Sequence, residues 1–266
     1  MKNKIIILGA LIAVGLSLIF FTGSSRKAQK SGEGERIQLF NGKDLSGWTA
    51  KFAGYPGGEN YRNTFRVEDG ILKASYDEWD RFNGEFGHLI TDESYSHYKL
   101  HVEYRTVGEQ CPDGPEWARK NNGIMLHSQS AESIDQDQDF PVSIEVQLLS
   151  GLGEGPRPTA NVCTPGTHVV MDGELVTQHC NQSSSDTYGD EWVTVEVVVK
   201  GDEIIHHIVE GDTVMTYTDP QIDGGDVPEG YTEEDGAPLK SGHIAIQAES
   251  HPTEFREISL LKLDQD

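Results

Sequence analysis

The sequence predicts an all-β fold, a two-sheet antiparallel jelly-roll sandwich. Three observations predict it. Apolar and polar residues alternate with period two in run after run. Those runs are bounded by Gly, Asn, Asp and Pro, and glycine supplies 29 of the 266 residues. Beyond the N-terminal segment no window carries the period of an amphipathic helix. Roughly twelve strands in one domain of this length imply two stacked sheets.

The chain opens with Lys2 and Lys4, an apolar run from Ile5 to Phe21, and the small residues Thr22-Gly23-Ser24-Ser25. A basic start, an apolar stretch and small residues make a secretory signal. The run is also close to the length that crosses a bilayer. Export is therefore expected, with residues 1–25 either cleaved or kept as a membrane anchor, and the body periplasmic or held facing the periplasm. Residues 26–35 (RKAQKSGEGE) form a linker, and residues 36–266 form the domain. Strands are predicted over 64–68, 71–75, 88–91, 98–106, 123–127, 143–149, 167–171, 192–200, 203–209, 213–217, 243–248 and 255–263. Val209-Glu210-Gly211-Asp212-Thr213 reads as a hairpin turn. The acidic, Gly-rich stretch 219–239 reads as a long surface loop.

The chain carries 21 Lys+Arg against 44 Asp+Glu, a net charge of −23. Residues 1–30 hold five of the basic residues and no acidic one, which leaves −28 for the rest. So acidic a body repels phosphate backbones and excludes nucleic acid as a partner.

Cys163 and Cys180 bracket a strand and its return, so a disulfide is expected between them in an oxidising compartment. Cys111 is then the free thiol. No closely spaced cysteine pair suggests zinc.

Alternation assigns faces as well as strands. In 143–149, Ile144, Val146 and Leu148 point one way, while Glu145 and Gln147 point the other. In 243–249, His243, Ala245, Gln247 and Glu249 share the face opposite Ile244, Ile246 and Ala248. In 123–129, Met125, His127 and Gln129 oppose Ile124 and Leu126. A curved sheet would gather these polar faces into one concave groove.

An ordered set of motifs then resembles a known family, the 3-keto-disaccharide hydrolase domain. The motifs are Leu39-Phe40-Asn41-Gly42-Lys43-Asp44-Leu45-Ser46-Gly47-Trp48, Phe65-Arg66-Val67-Glu68-Asp69-Gly70, Asn121-Asn122-Gly123-Ile124-Met125-Leu126-His127 and Ile144-Glu145-Val146-Gln147. Gly242-His243-Ile244-Ala245-Ile246-Gln247-Ala248-Glu249 and Glu254-Phe255-Arg256-Glu257-Ile258 close the set. The resemblance implies a concanavalin A-like lectin/glucanase fold and cleavage of the glycosidic bond of 3-keto-glycosides. A ketone at C3 acidifies the C2 proton. A base removes it, the enolate expels the C1 substituent, and water adds afterwards. The glucanase arrangement of two carboxylates on one Glu-x-Asp-x-x-Glu strand is absent from Glu145-Val146-Gln147-Leu148-Leu149-Ser150, which disfavours ordinary double displacement.

Elimination needs a base, an acid and an enolate stabiliser. His127 and Glu145 are the leading base and acid candidates. Glu249 and His251 would complete that set or ligate a divalent cation, which could stabilise the enolate. Gln147 and Gln247 would orient the sugar, and Trp117 would stack on it. No other cofactor is expected, because a separate sugar 3-oxidoreductase would supply the ketone. The alternative is a lectin-like module that binds glycans without cleaving them. The ionisable character of the three faces favours the enzyme.

Overall fold

The computed structural model describes residues 36–265; the signal or anchor and the linker lie outside them. Seventeen strands are described: β1 (Arg36–Gln38), β2 (Trp48–Phe52), β3 (Phe65–Glu68), β4 (Ile71–Ala74), β5 (Gly87–Thr91), β6 (His97–Thr106), β7 (Asn121–Ser128), β8 (Ile144–Leu149), β9 (Asn161–Cys163), β10 (Thr167–Met171), β11 (Glu174–Val176), β12 (Cys180–Asn181), β13 (Val193–Lys200), β14 (Ile204–Val209), β15 (Asp212–Ile222), β16 (His243–Ala248) and β17 (Thr253–Lys262). Two single 3₁₀ turns, Tyr61–Asn63 and Glu116–Ala118, are the helical elements among the described residues. No helix there is long and apolar enough to cross a membrane.

The strands form two antiparallel sheets. One has ten strands, in the order β11-β10-β15-β14-β13-β6-β17-β4-β3, with β1 also paired to β17. The other has seven, in the order β12-β9-β8-β7-β16-β5-β2. The middle of the larger sheet is built from the clearest alternation in the sequence. In β13, Val193, Val195, Val197 and Val199 are buried while the residues between them are not. Leu100, Val102 and Tyr104 of β6 and Phe255, Ile258 and Leu260 of β17 join them. From the smaller sheet come Ile124, Leu126, Ile144, Val146, Leu148, Ile244 and Ile246. β-Branched residues suit such a doubly packed position.

All twelve predicted strands are present, with ends shifted by a few residues. Five short strands were not predicted: β1, β2, β9, β11 and β12. β15 also runs on to Ile222, so the start of the expected 219–239 loop is strand. The β14–β15 turn is Glu210-Gly211, both left-handed at φ 49° and 94°, as the primed hairpin turn requires. Cys163 and Cys180 face each other across β9 and β12 and form a disulfide. Cys111 is a buried free thiol.

The face of the smaller sheet turned away from the core carries the site. Register places Asn161, Gln147, Gly123, Gln247, His88 and Lys51 side by side across six strands. The next row is Cys163, Glu145, Met125, Ala245 and Ile90. The expected open groove is therefore only partly realised. The 129–143 segment folds over this face, and Ala131 and Ile134 bury Ile90, Met125 and Ala245 in a second apolar cluster. Lys51 Nζ ties the segment down by donating to the Gln136 carbonyl at 3.0 Å.

Candidate active site

Glu145 lies on β8 and Glu249 immediately follows β16, and both turn away from the core. They line a cavity of about 370 Å³ with Asn121, Gln147, Trp117, Phe140, Pro165, His179 and the Cys163–Cys180 disulfide. Glu145 is 6% exposed and Glu249 2%. Burial raises the Glu145 carboxyl to about 8, and Gln247 beside it partly offsets that rise. No well-aligned hydrogen bond joins the two, because Glu145 Oε1 and both Gln247 amide atoms are without partners. Glu249 is pushed well above the carboxylate range by burial and then by repulsion from Glu145. Two carboxyls in one dry site cannot both ionise cheaply, so they titrate as a pair.

Gly123 makes the close approach possible. It pairs with Gln147 on one side, and on the other the register that sets Ile124 against Ile246 brings it to Gln247. A Cβ there would meet Gln247 Oε1 at 2.4 Å and Glu145 Oε1 at 2.5 Å. The missing side chain is the space that carboxyl and amide occupy.

Gln147 accepts from Asn161 Nδ2 at 3.0 Å and lines the cavity. Gln247 is fully buried beside Glu145 and does not line the cavity. Trp117 is 54% exposed at the cavity and stacks on Phe86, with centroids 5.8 Å apart and planes at 20°. Gln147, Gln247 and the two glutamates share the sheet face that alternation assigned to them, and Trp117 reaches the cavity from the 3₁₀ turn before β7.

The two histidines do not reach that cavity. His127 ends its alternation in a left-handed conformation, φ 49°. Its Nε2 bonds the carbonyl of Gly201, in the β13–β14 turn, at 3.0 Å. It lines a different cavity, with Tyr231, Leu239 and Lys240. Met125, not His127, stands opposite Glu145. The structure therefore does not bring His127 and Glu145 together, and the ionisable side chain that shares the cavity's buried end with Glu145 is Glu249. Replacing His127 with Leu should lower stability by about 1–3 kcal/mol, because it strands a buried carbonyl. Thermal unfolding would show it as a drop of several degrees, with turnover nearly unchanged.

His251 follows Ser250, which is also left-handed at φ 97°. That turn sends it to a separate cavity of about 620 Å³ with Gln110, Arg119, Lys120 and Asp190. Burial first, then Lys120, lowers its pKa to about 4, so it is neutral at pH 7, and both ring nitrogens lack partners. Glu249 and His251 thus do not form a common ligand set. Among the described residues, the group of three potential metal ligands is His101, Glu103 and Glu257, with ligand atoms within 4.8 Å of one another. It lies on the outer face of the larger sheet, where Arg256 pairs with Glu103.

Asn121, Phe140, Pro165 and His179 of the cavity lining escaped the sequence reading, as did His88 in the sheet behind it. Asn121 lines the cavity with an unpartnered Oδ1. It shares a face with Gly123 and Met125, so alternation could have found it. His88 pairs in register with Gln247 and sits edge-on to Phe140 at 5.9 Å, with Nε2 unpartnered. Burial lowers its pKa to about 3, so it is a neutral donor or acceptor.

Residues 35–261 match the 3-keto-alpha-glucoside-1,2-lyase-like domain. The chain belongs to that family. Among solved structures it is similar to a "putative glycosyl hydrolase" from Parabacteroides distasonis ATCC 8503, at 19% identity and TM-score 0.51 over 86% of this chain and 94% of that one. It is also similar to the laminarinase from Rhodothermus marinus, at 10% identity and TM-score 0.51 over 86% and 96% of the two chains. These likenesses establish the sandwich fold. No match was found among curated protein sequences.

Proposed function

We propose that this member of the 3-keto-alpha-glucoside-1,2-lyase-like family cleaves 3-keto-glycosides by elimination at the Glu145–Glu249 cavity. The observation that carries the reading is the pair itself: two buried carboxyls with raised pKa values over a polar floor. With one proton shared, the carboxylate removes the C2 proton. The C1–O bond breaks, a C1=C2 double bond forms, and the carboxylic acid protonates the departing oxygen. Gln147 and Asn121 present amides to the sugar hydroxyls and the developing enolate, while Gln247, buried beside Glu145, fixes that carboxyl's surroundings. Export to the periplasm and an oxidoreductase that supplies the C3 ketone complete the proposal.

Ordinary hydrolysis also uses two carboxyls, so chemistry must separate the two readings. Elimination breaks C2–H; displacement does not. A 2-deutero-3-keto-glycoside should therefore turn over more slowly than its protio form. An identical rate under single-turnover conditions would count against elimination. Because the pair must lose a proton to act as base, kcat/KM should climb through neutral pH toward a limb near 8, a value that belongs to the pair.

A further inference from the structure

The elimination reading uses the floor of the cavity and leaves its walls unexplained. Trp117, Phe140, Pro165 and the Cys163–Cys180 disulfide form them, with His179 at the exposed rim. Trp117 is held flat rather than free. Phe86 stacks on it and in turn contacts Phe140, with centroids 4.9 Å apart. A fixed, exposed indole is a platform for a ring, and both sugars and planar aromatics stack on such a platform.

Hydrogen bonding decides between them. A second sugar would bury several hydroxyls against these walls, and each hydroxyl left unpaired costs about 1–3 kcal/mol. Apart from His179 and the single indole N–H of Trp117, the wall side chains offer no partner, too few for the several hydroxyls of a second sugar. The polar groups, Asn121, Glu145, Gln147 and Glu249, belong to the floor and to the keto sugar. The volume, about 370 Å³, is small for a ligand cavity and suits a sugar ring with a compact leaving group.

Resting on the elimination reading, we propose that the leaving group is a planar aromatic alcohol, so that the substrate class is 3-keto aryl glycosides rather than 3-keto-disaccharides. The aryl oxygen leaves from C1 as the C1=C2 bond forms and departs as a phenol with the proton of the acid carboxyl. The ring remains stacked on Trp117 until release.

The test separates binding from chemistry. Calorimetry with the full chain compares unoxidised phenyl glucoside with an unoxidised glucosyl-glucose of the same anomeric configuration. The phenyl glucoside should bind at least about tenfold more tightly, and Trp117→Ala should abolish the difference while the circular dichroism spectrum is kept. Equal affinity, tighter binding of the disaccharide, or no measurable binding of either overturns the proposal. Turnover of the two 3-keto forms is measured in parallel. If neither is cleaved while the binding preference survives, the elimination reading fails and the aromatic subsite stands.

Discussion

Replacing Glu145 with Gln is expected to cut turnover of a 3-keto-glycoside by about 10²–10⁴-fold, the range for removing a proton-transfer group. The same change should make the protein more stable at pH 8. The folded state holds the Glu145 proton up to about pH 8, whereas the unfolded chain releases it at the ordinary carboxylate value. Between those values the folded state binds more protons than the unfolded one, so stability falls as pH rises. Below the ordinary value both states are protonated and the penalty vanishes. Gln cannot ionise, and it relieves Glu249 of the neighbouring charge. Glu145→Gln should therefore unfold several degrees higher than the parent at pH 8 and at nearly the same temperature at pH 4, at about 2–4 °C per kcal/mol for a domain of this size. Full activity would remove Glu145 from the mechanism. A lower midpoint at pH 8 would show that the carboxylate is stabilised where the structure says it is not.

Gly123→Ala is expected to lose at least about tenfold in turnover with only a small loss of stability. The added methyl collides with Gln247 Oε1 and with Glu145 Oε1 and Cγ, all within 2.8 Å. These are side-chain atoms that can swing aside, so overpacking should stay near the low end of its usual 1–3 kcal/mol. The carboxyl cannot swing aside and keep its aim, and small displacements of a reacting group are costly in rate. Gly242→Ala is the control with the opposite character. Its Cβ would stand 2.3 Å from the backbone carbon of His127, which cannot move cheaply. It should destabilise the fold rather than spare it. Equal behaviour of the two variants would contradict the assignment of Gly123 to the site.

The sandwich was legible because the long strands of the larger sheet are half-buried, and half-burial writes period two into the sequence, while β7, β8 and β16 of the smaller sheet, buried on both faces, still set polar side chains on the site face against apolar ones on the core face. β9, β11 and β12 have two or three residues each, too few to show a period. β2 does alternate, with Trp48, Ala50 and Phe52 against Thr49 and Lys51, so it was there to be read. The four site residues Glu145, Gln147, Gln247 and Glu249 were legible for the same reason, since each sits on a strand or just past its end. That Glu145 and Glu249 converge was not, because register across β8, β7 and β16 is a tertiary fact. His127 misled because it is itself left-handed and breaks the alternation that assigned its direction; His251 lay beyond the run that alternation covered, past the left-handed Ser250. His88 was hidden by the 129–143 segment, whose fold over the sheet leaves no periodic trace.

The central claim is that cleavage at the Glu145–Glu249 cavity depends on a ketone at C3. It is tested most directly by incubating the protein with phenyl glucoside and a glucosyl-glucose, each alone and as its 3-keto form, and measuring the released phenol or glucose. The account predicts release of phenol from the 3-keto phenyl glucoside, well ahead of any glucose from the 3-keto-disaccharide, no release from the unoxidised parents, and loss of release in Glu145→Gln. Equal release from oxidised and unoxidised glycosides would contradict it.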